Sequence, residues 1–164
     1  YLANRSKPST DQFNMKITSG MKEIMGAFVT LKMNGQLRGC IGEIMPRQAL
    51  YKAVIDQAVN AAVNDHRFSP VQSSDVSSLE FEISALTAPR PVDSYSNIVL
   101  GKHGIILQKN GKSAVFLPQV APEQGWTLEE TLTHLSVKAG LSENDWKEGT
   151  QFLVFEAIVF HEEK

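Results

Sequence analysis

From residue 27 onward, apolar and polar positions fall into short alternating runs that residues 1–19, polar and turn-rich, do not show. Residues 27–33 and 37–42 flank Asn34-Gly35, a dipeptide that strongly favours a two-residue hairpin turn. Such a turn sets Cys40 opposite Val29 and Arg38 opposite Leu31. Pro46 suits the first turn of a helix, where its missing N–H costs nothing. Leu50, Ala53, Val54, Ala58, Ala61 and Ala62 then recur at helical spacing and carry that helix through Asn64. After turn material over 68–74, residues 79–85 are apolar at the odd positions, the pattern of a strand with one face on a core. Residues 1–19 read as holding the end of a helix.

The second half repeats the order strand, strand, helix, strand. Residues 103–108 and 112–117 flank Asn110-Gly111, the same turn dipeptide. Thr127-Leu128-Glu129-Glu130 has the form of a capping box, and Leu128, Leu132 and Leu135 mark a buried helix face. Gly140 fits the position after that helix, where φ is often positive. Residues 151–160 are apolar on both faces apart from Glu156, so that strand should be central. The prolines of residues 89–93 and the stretch 95–102 make an ordered connector. The fold class is therefore α+β: two β-β-α-β units, mostly antiparallel, with helices packed on the sheet. The 164 residues read as a single domain, with an opening at Tyr1 that suits the C-terminal part of a longer chain.

Bulk properties narrow the function classes. Hydrophobic residues at 42% and charged residues at 21% are globular values. A net charge of −2 and a sequence pI near 6.1 give no footprint for nucleic acid or an anionic membrane. No apolar run is long enough to span a bilayer, and no segment reads as a signal peptide. Cys40 is the single cysteine, which favours a reducing, cytoplasmic setting and excludes a cysteine-rich zinc site.

The candidate chemistry centres on Leu37-Arg38-Gly39-Cys40-Ile41-Gly42. Two glycines in a strand mark a bulge or a close approach by a ligand or another backbone. Arg38 and Cys40 share a strand face by period-two alternation, and a guanidinium near a thiol favours the thiolate. The competing reading buries Cys40 as a small inert hydrophobe and leaves Gly39 and Gly42 as packing relief under the following helix.

That hexapeptide, LRGCIG, is similar to the segment that marks the AMMECR1 family. The similarity continues through Asp65-His66-Arg67-Phe68 with Pro70, Glu82-Ile83-Ser84-Ala85-Leu86-Thr87 and His103-Gly104. It extends through Leu117-Pro118-Gln119-Val120-Ala121, Trp126 and Lys138-Ala139-Gly140-Leu141, so it covers nearly the whole chain. The resemblance implies an α+β fold with internal duplication, a functional site at LRGCIG and no assigned activity. It also implies Memo-like partners, similar to extradiol dioxygenases, and radical-SAM partners, which occur beside or fused to such domains. Ser136 stands near where many microbial relatives carry a second cysteine, which argues against a two-thiol mechanism.

Other residues complete the candidate site. His66 reads as a proton shuttle and Arg67 as an anion clamp, against a role for both in capping the helix C-terminus, where Asp65 could also pair with either of them on the surface. His103 reads as a base for Cys40 if the halves share a cleft, against a strand-edge histidine. His134 and His161 read as surface residues. No histidine pair has metal-ligand spacing, so no metal site is expected. Glu80 and Glu82 share a polar strand face, which reads as a solvated face against a pair dividing acid and base roles, and Glu82 lies in the family-like segment. Residues 117–122 form a rigid two-proline segment that reads as a structural crossover to the helix at Thr127, against a role in walling a pocket or docking a partner. No phosphate loop or dinucleotide fingerprint is present, so no cofactor and no cofactor-binding residues are expected.

Two functions follow. In the first, a small enzyme or enzyme-system component uses Cys40 as nucleophile or redox centre, Arg38 as its cationic partner and His103 or His66 as proton carrier. Gly39, Gly42, Arg67 and Glu82 would then hold a small-molecule substrate. In the second, a non-catalytic module docks a Memo-like or radical-SAM protein and presents a substrate, with Arg38, Gly39 and Cys40 as contacts and the thiol chemically ordinary.

Overall fold

A computed structural model describes residues 1–2, 6–7, 9–10 and 16–162. Much of the helix end expected within residues 1–19 therefore lies outside the described residues. The chain divides into two compact units, Tyr1–Ala88 with Ile158–Lys164, and Pro89–Ala157.

In the first unit, β1 (Gly26–Met33) and β2 (Gln36–Glu43) form the expected hairpin. Asn34 at φ 53° and Gly35 at φ 74° adopt the left-handed pair that a tight hairpin turn requires. β3 (Leu79–Leu86) pairs antiparallel with the other side of β1, so the order is β2-β1-β3. α1 (Leu50–Val63) packs on β1 and β2. Its buried Ala61 packs with Val29, Leu31 and Leu79 on the inward face of the sheet, and Ala53 is buried as well. Pro46 does not open this helix as expected. The helix starts four positions later at Leu50, after Ala49 bridges to Ile24 and the Leu50 N–H donates to the Glu23 carbonyl.

The second unit repeats the pattern. β5 (His103–Lys109) pairs with β6 (Lys112–Phe116) on one side and β7 (Gln151–His161) on the other, giving β6-β5-β7. This is the strand order of the first unit, so the internal duplication is one of topology. α3 (Leu128–Lys138) carries the expected capping box. The Thr127 hydroxyl accepts from Glu130 N–H at 3.3 Å, and Glu130 Oε2 accepts from Thr127 N–H at 2.8 Å. Gly140 sits at φ 74° just past it. Leu107, Leu132, Leu135 and Val154 are fully buried and close the core with Trp146.

Two elements go beyond the expected pattern. The proline connector contains a short strand, β4 (Arg90–Val92), paired with β7, and Val120–Gln124 forms a short helix, α2. Because β7 has β4 and β5 as neighbours over Phe152–Val154, its two apolar faces there are those of a central strand. Among the described residues, no helix is long and apolar enough to cross a membrane.

Candidate functional site at the edge of the first sheet

The register around Cys40 differs from the simple hairpin count. A β-bulge at β2 shifts the pairing by one residue, so Cys40 lies opposite Thr30 and Gly39 opposite Leu31. Because side chains alternate with period two, that slip moves Cys40 to the other face of the sheet. Val29 and Leu31 point toward α1, whereas Cys40 joins Thr30 and Phe28 on the face away from it. Cys40 is half-buried there, and the Thr30 hydroxyl donates to its Sγ at 3.3 Å.

Packing accounts for both glycines. A Cβ on Gly39 would come within 2.1 Å of the Ala61 carbonyl oxygen, so only glycine lets β2 close against α1. A Cβ on Gly42 would stand 2.2 Å from the Phe28 ring, which lies over it on the Cys40 face. Packing relief against the helix thus holds at Gly39, and Gly42 accommodates an aromatic ring instead.

β2 is an edge of this sheet, and the peptide groups of Cys40 face outward from it. Asp65 and Arg67, which follow α1, satisfy them. Asp65 Oδ2 accepts from Cys40 N–H at 2.9 Å, while Arg67 Nη2 donates to the Cys40 carbonyl at 3.1 Å. The two side chains also clamp each other, with Arg67 Nη2 2.7 Å from Oδ2 and Nε 2.9 Å from Oδ1. Arg67 N–H adds a further donor to Oδ1 at 3.2 Å. Asp65 and Arg67 therefore blunt the edge as a neighbouring strand would. Hydrogen bonds from Arg67 hold the Asp65 carboxyl far below its ordinary range. Burial opposes this, and the Cys40 and Arg67 backbone N–H groups add to it. Arg67 is correspondingly raised, chiefly by its bonds to Asp65.

The remaining candidates are placed as follows. The Arg38 guanidinium donates to the Ser69 carbonyl at 2.7 Å and lies 3.8 Å from Asp75, with no hydrogen bond to Cys40. The bulge takes it out of simple alternation with the thiol, and its cation anchors the loop beyond α1. His66 is exposed, between the two clamp residues. Glu82 pairs across β1 with Thr30, which itself faces Cys40. Its Oε2 meets Lys32 Nζ at 2.9 Å and His161 Nδ1 at 3.4 Å, and its side chain is largely covered. His103 belongs to the second unit, where it is buried and its Nδ1 accepts from Val99 N–H at 3.1 Å. Burial lowers its pKa, Arg90 and Lys102 push the same way, and Glu156 opposes them. Glu156 itself has Lys102 at 3.4 Å. His134 is exposed and stacks on Trp126.

Sequence reasoning did not single out Thr30, and it offered Asp65 only as a surface partner of His66 or Arg67, whereas Asp65 is buried, pairs with Arg67 and holds the Cys40 peptide. Asp65 opens a family-like tetrapeptide, and a carboxylate just past a helix C-terminus is poorly placed for the helix dipole. That mismatch was the available signal.

A family model described as AMMECR1 matches residues 1–160. The chain belongs to the AMMECR1 family. This AMMECR1 domain is 33% identical to a Methanosarcina mazei protein, across 100% of the chain and 85% of that protein. It is 40% identical to a Pyrococcus furiosus protein, across 86% of the chain and 72% of that protein. The crystal structure of an uncharacterised Pyrococcus horikoshii protein matches 91% of the domain and 81% of its own chain, with a TM-score of 0.79 and 36% identity. The names of these relatives carry no activity.

Proposed function

We propose that this AMMECR1 domain is a binding component of an enzyme system, presenting the Cys40–Arg67 edge to a partner in the cytoplasm, and is not a self-contained cysteine enzyme. One observation carries this reading: the guanidinium groups of Arg38 and Arg67, the two argued to act at Cys40, are engaged elsewhere by their own chain. Arg38 is held by Ser69, and Arg67 by Asp65 and the Cys40 carbonyl. An activated thiolate needs a cation or base directed at sulfur, and the hydrogen bond to Cys40 Sγ comes from neutral Thr30. Arg67 is held rigidly yet is 59% exposed, with Nη1 unpartnered among the described residues. That geometry suits a carboxylate or carbonyl on a partner surface. The family resemblance points to a Memo-like or radical-SAM protein in that role.

Alkylation of Cys40 by iodoacetamide at neutral pH, compared with glutathione, tests the claim against catalysis. The expected rate is no faster than glutathione and unchanged in Arg38→Ala and His103→Ala. A much faster rate that falls in either variant would restore the nucleophile. Calorimetric titration with a Memo-like protein tests the partner. Arg67→Ala should weaken binding while Cys40→Ala leaves it intact, and the reverse pattern would sink the docking role.

A further inference from the structure

We propose that the end of β7 binds a second protein by strand addition, taking an extended apolar segment with basic flanks along its open edge. β5 follows β7 only as far as Glu156, which pairs with His103. Beyond that point β7 runs beside β3, and Glu162 N–H donates to the Phe81 carbonyl at 3.1 Å. On its other edge, residues 157–161 have no paired strand among the described residues. Ile158, Val159 and Phe160 are 54%, 43% and 52% exposed, so apolar side chains stand open on both faces of the strand. Two other edges are closed by charged side chains. Asp65 and Arg67 cover β2, and on β6 Lys138 Nζ donates to the Val115 carbonyl at 2.8 Å. Residues 157–160 carry neither a charge nor a proline, the usual guards of an edge.

The chemistry of the edge selects its occupant. An unpaired edge offers N–H and C=O groups that an extended chain satisfies and a helix, whose peptide groups bond internally, does not. Ile158 and Phe160 on one face and Val159 on the other call for apolar side chains in the added strand. Beside the strand's end, Glu80, Glu82 and Glu162 outnumber Lys32 around a groove of about 230 Å³, which suits a lysine or arginine flank. A second copy of this chain fits poorly. The register that matches all three apolar residues sets Glu156 opposite Glu162 of the second copy, and like charges directly opposite destabilise a strand pair. Described N-terminal residues are engaged elsewhere, Leu2 against the core beneath α1 and Lys7 with Asp56 on α1 itself. In the first unit's strand order the end of β7 lies beyond β3 and β2 lies beyond β1, so this surface is separate from the Cys40–Arg67 edge.

The probe is a fluorescein-labelled peptide, Lys-Val-Thr-Val-Thr-Val-Lys, followed by fluorescence polarisation. Wild-type protein should bind it saturably. A fully N-methylated form, with no N–H left to pair, and a form with glutamate in place of both lysines should each bind at least about tenfold more weakly, equivalent to ~1.4 kcal/mol. Ile158→Glu, which keeps the attraction for lysine, should lose as much, and Arg67→Ala should bind as wild type does. The peptide comparisons use wild-type protein, so they stand even if Ile158→Glu does not fold. In hydrogen exchange, amides of residues 158–160 that face the open edge should exchange freely in the protein alone and become protected when the peptide is added. The proposal is overturned if binding does not saturate, or if the N-methylated or glutamate-flanked peptide binds equally well. Edge amides already protected in monomeric protein would assign the edge to the chain's own residues. Self-association lost in Ile158→Glu would assign it to a second copy. Either result also overturns the proposal.

Discussion

Replacing Asp65 by Asn keeps the shape of the clamp on β2 and removes its charge. The four donors around the carboxylate are Cys40 N–H, Arg67 N–H, Arg67 Nε and Arg67 Nη2, two on each oxygen. Whichever way the amide turns, its NH₂ group confronts a pair of donors. A buried donor left facing another donor costs about 1–3 kcal/mol, and a charge-assisted bond is worth about 1.5–3 kcal/mol. Arg67 is 59% exposed, so water screens its attraction and its share is counted low. The expected loss is about 2–3 kcal/mol in urea unfolding followed by circular dichroism. For a chain of this size that corresponds to a fall in melting temperature of about 5–10 °C. Acid titration gives a second readout. The folded carboxyl is depressed, so its stabilisation is complete above the unfolded value of about 3.9 and is lost as pH falls below it. Wild type should therefore shed stability below about pH 4 more steeply than Asp65→Asn, whose side chain does not titrate. An Asn variant within about 0.5 kcal/mol of wild type, with the same acid limb, would refute the clamp as a stabilising device.

Two further outcomes follow from the second unit. The Ser136 hydroxyl is fully buried in α3 with no hydrogen-bond partner among the described residues, so Ser136→Ala should raise stability by about 1 kcal/mol. A loss of stability on the same urea assay would mean that the oxygen is satisfied in solution. His103 is buried with a lowered pKa and uses Nδ1 as an acceptor, so the unfolded chain takes up its proton more readily than the folded one. Wild-type stability should then fall as pH drops below about 6.5, and His103→Asn, which keeps an acceptor but does not titrate, should flatten that slope. Equal slopes in the two proteins would remove His103 from the pH response.

Features written in neighbouring residues were legible without coordinates. Asn34-Gly35 and Asn110-Gly111 name their turns because a left-handed pair is a local backbone demand. Thr127 and Glu130 name a helix start because each satisfies the other's backbone within one turn. Alternation in residues 79–85 and the helical stripe of α1 follow from the periods of the two structures, and together they specify a repeated β-β-α-β order. Pro46 misled because its tolerance at a helix start permits a helix there without requiring one, and a bridge between Ile24 and Ala49 set the actual start. The face on which Cys40 stands and the carboxylate that holds its peptide were decided only by tertiary structure. A bulge inverts the side-chain alternation that a residue count assumes, and the choice between bulged and regular pairing depends on Gly39 meeting Ala61 across the unit. Asp65 reaches Cys40 only once α1 has folded back over the sheet. Local backbone preferences are carried by adjacent residues, whereas faces, clamps and cavities arise from pairs that the chain brings together from a distance.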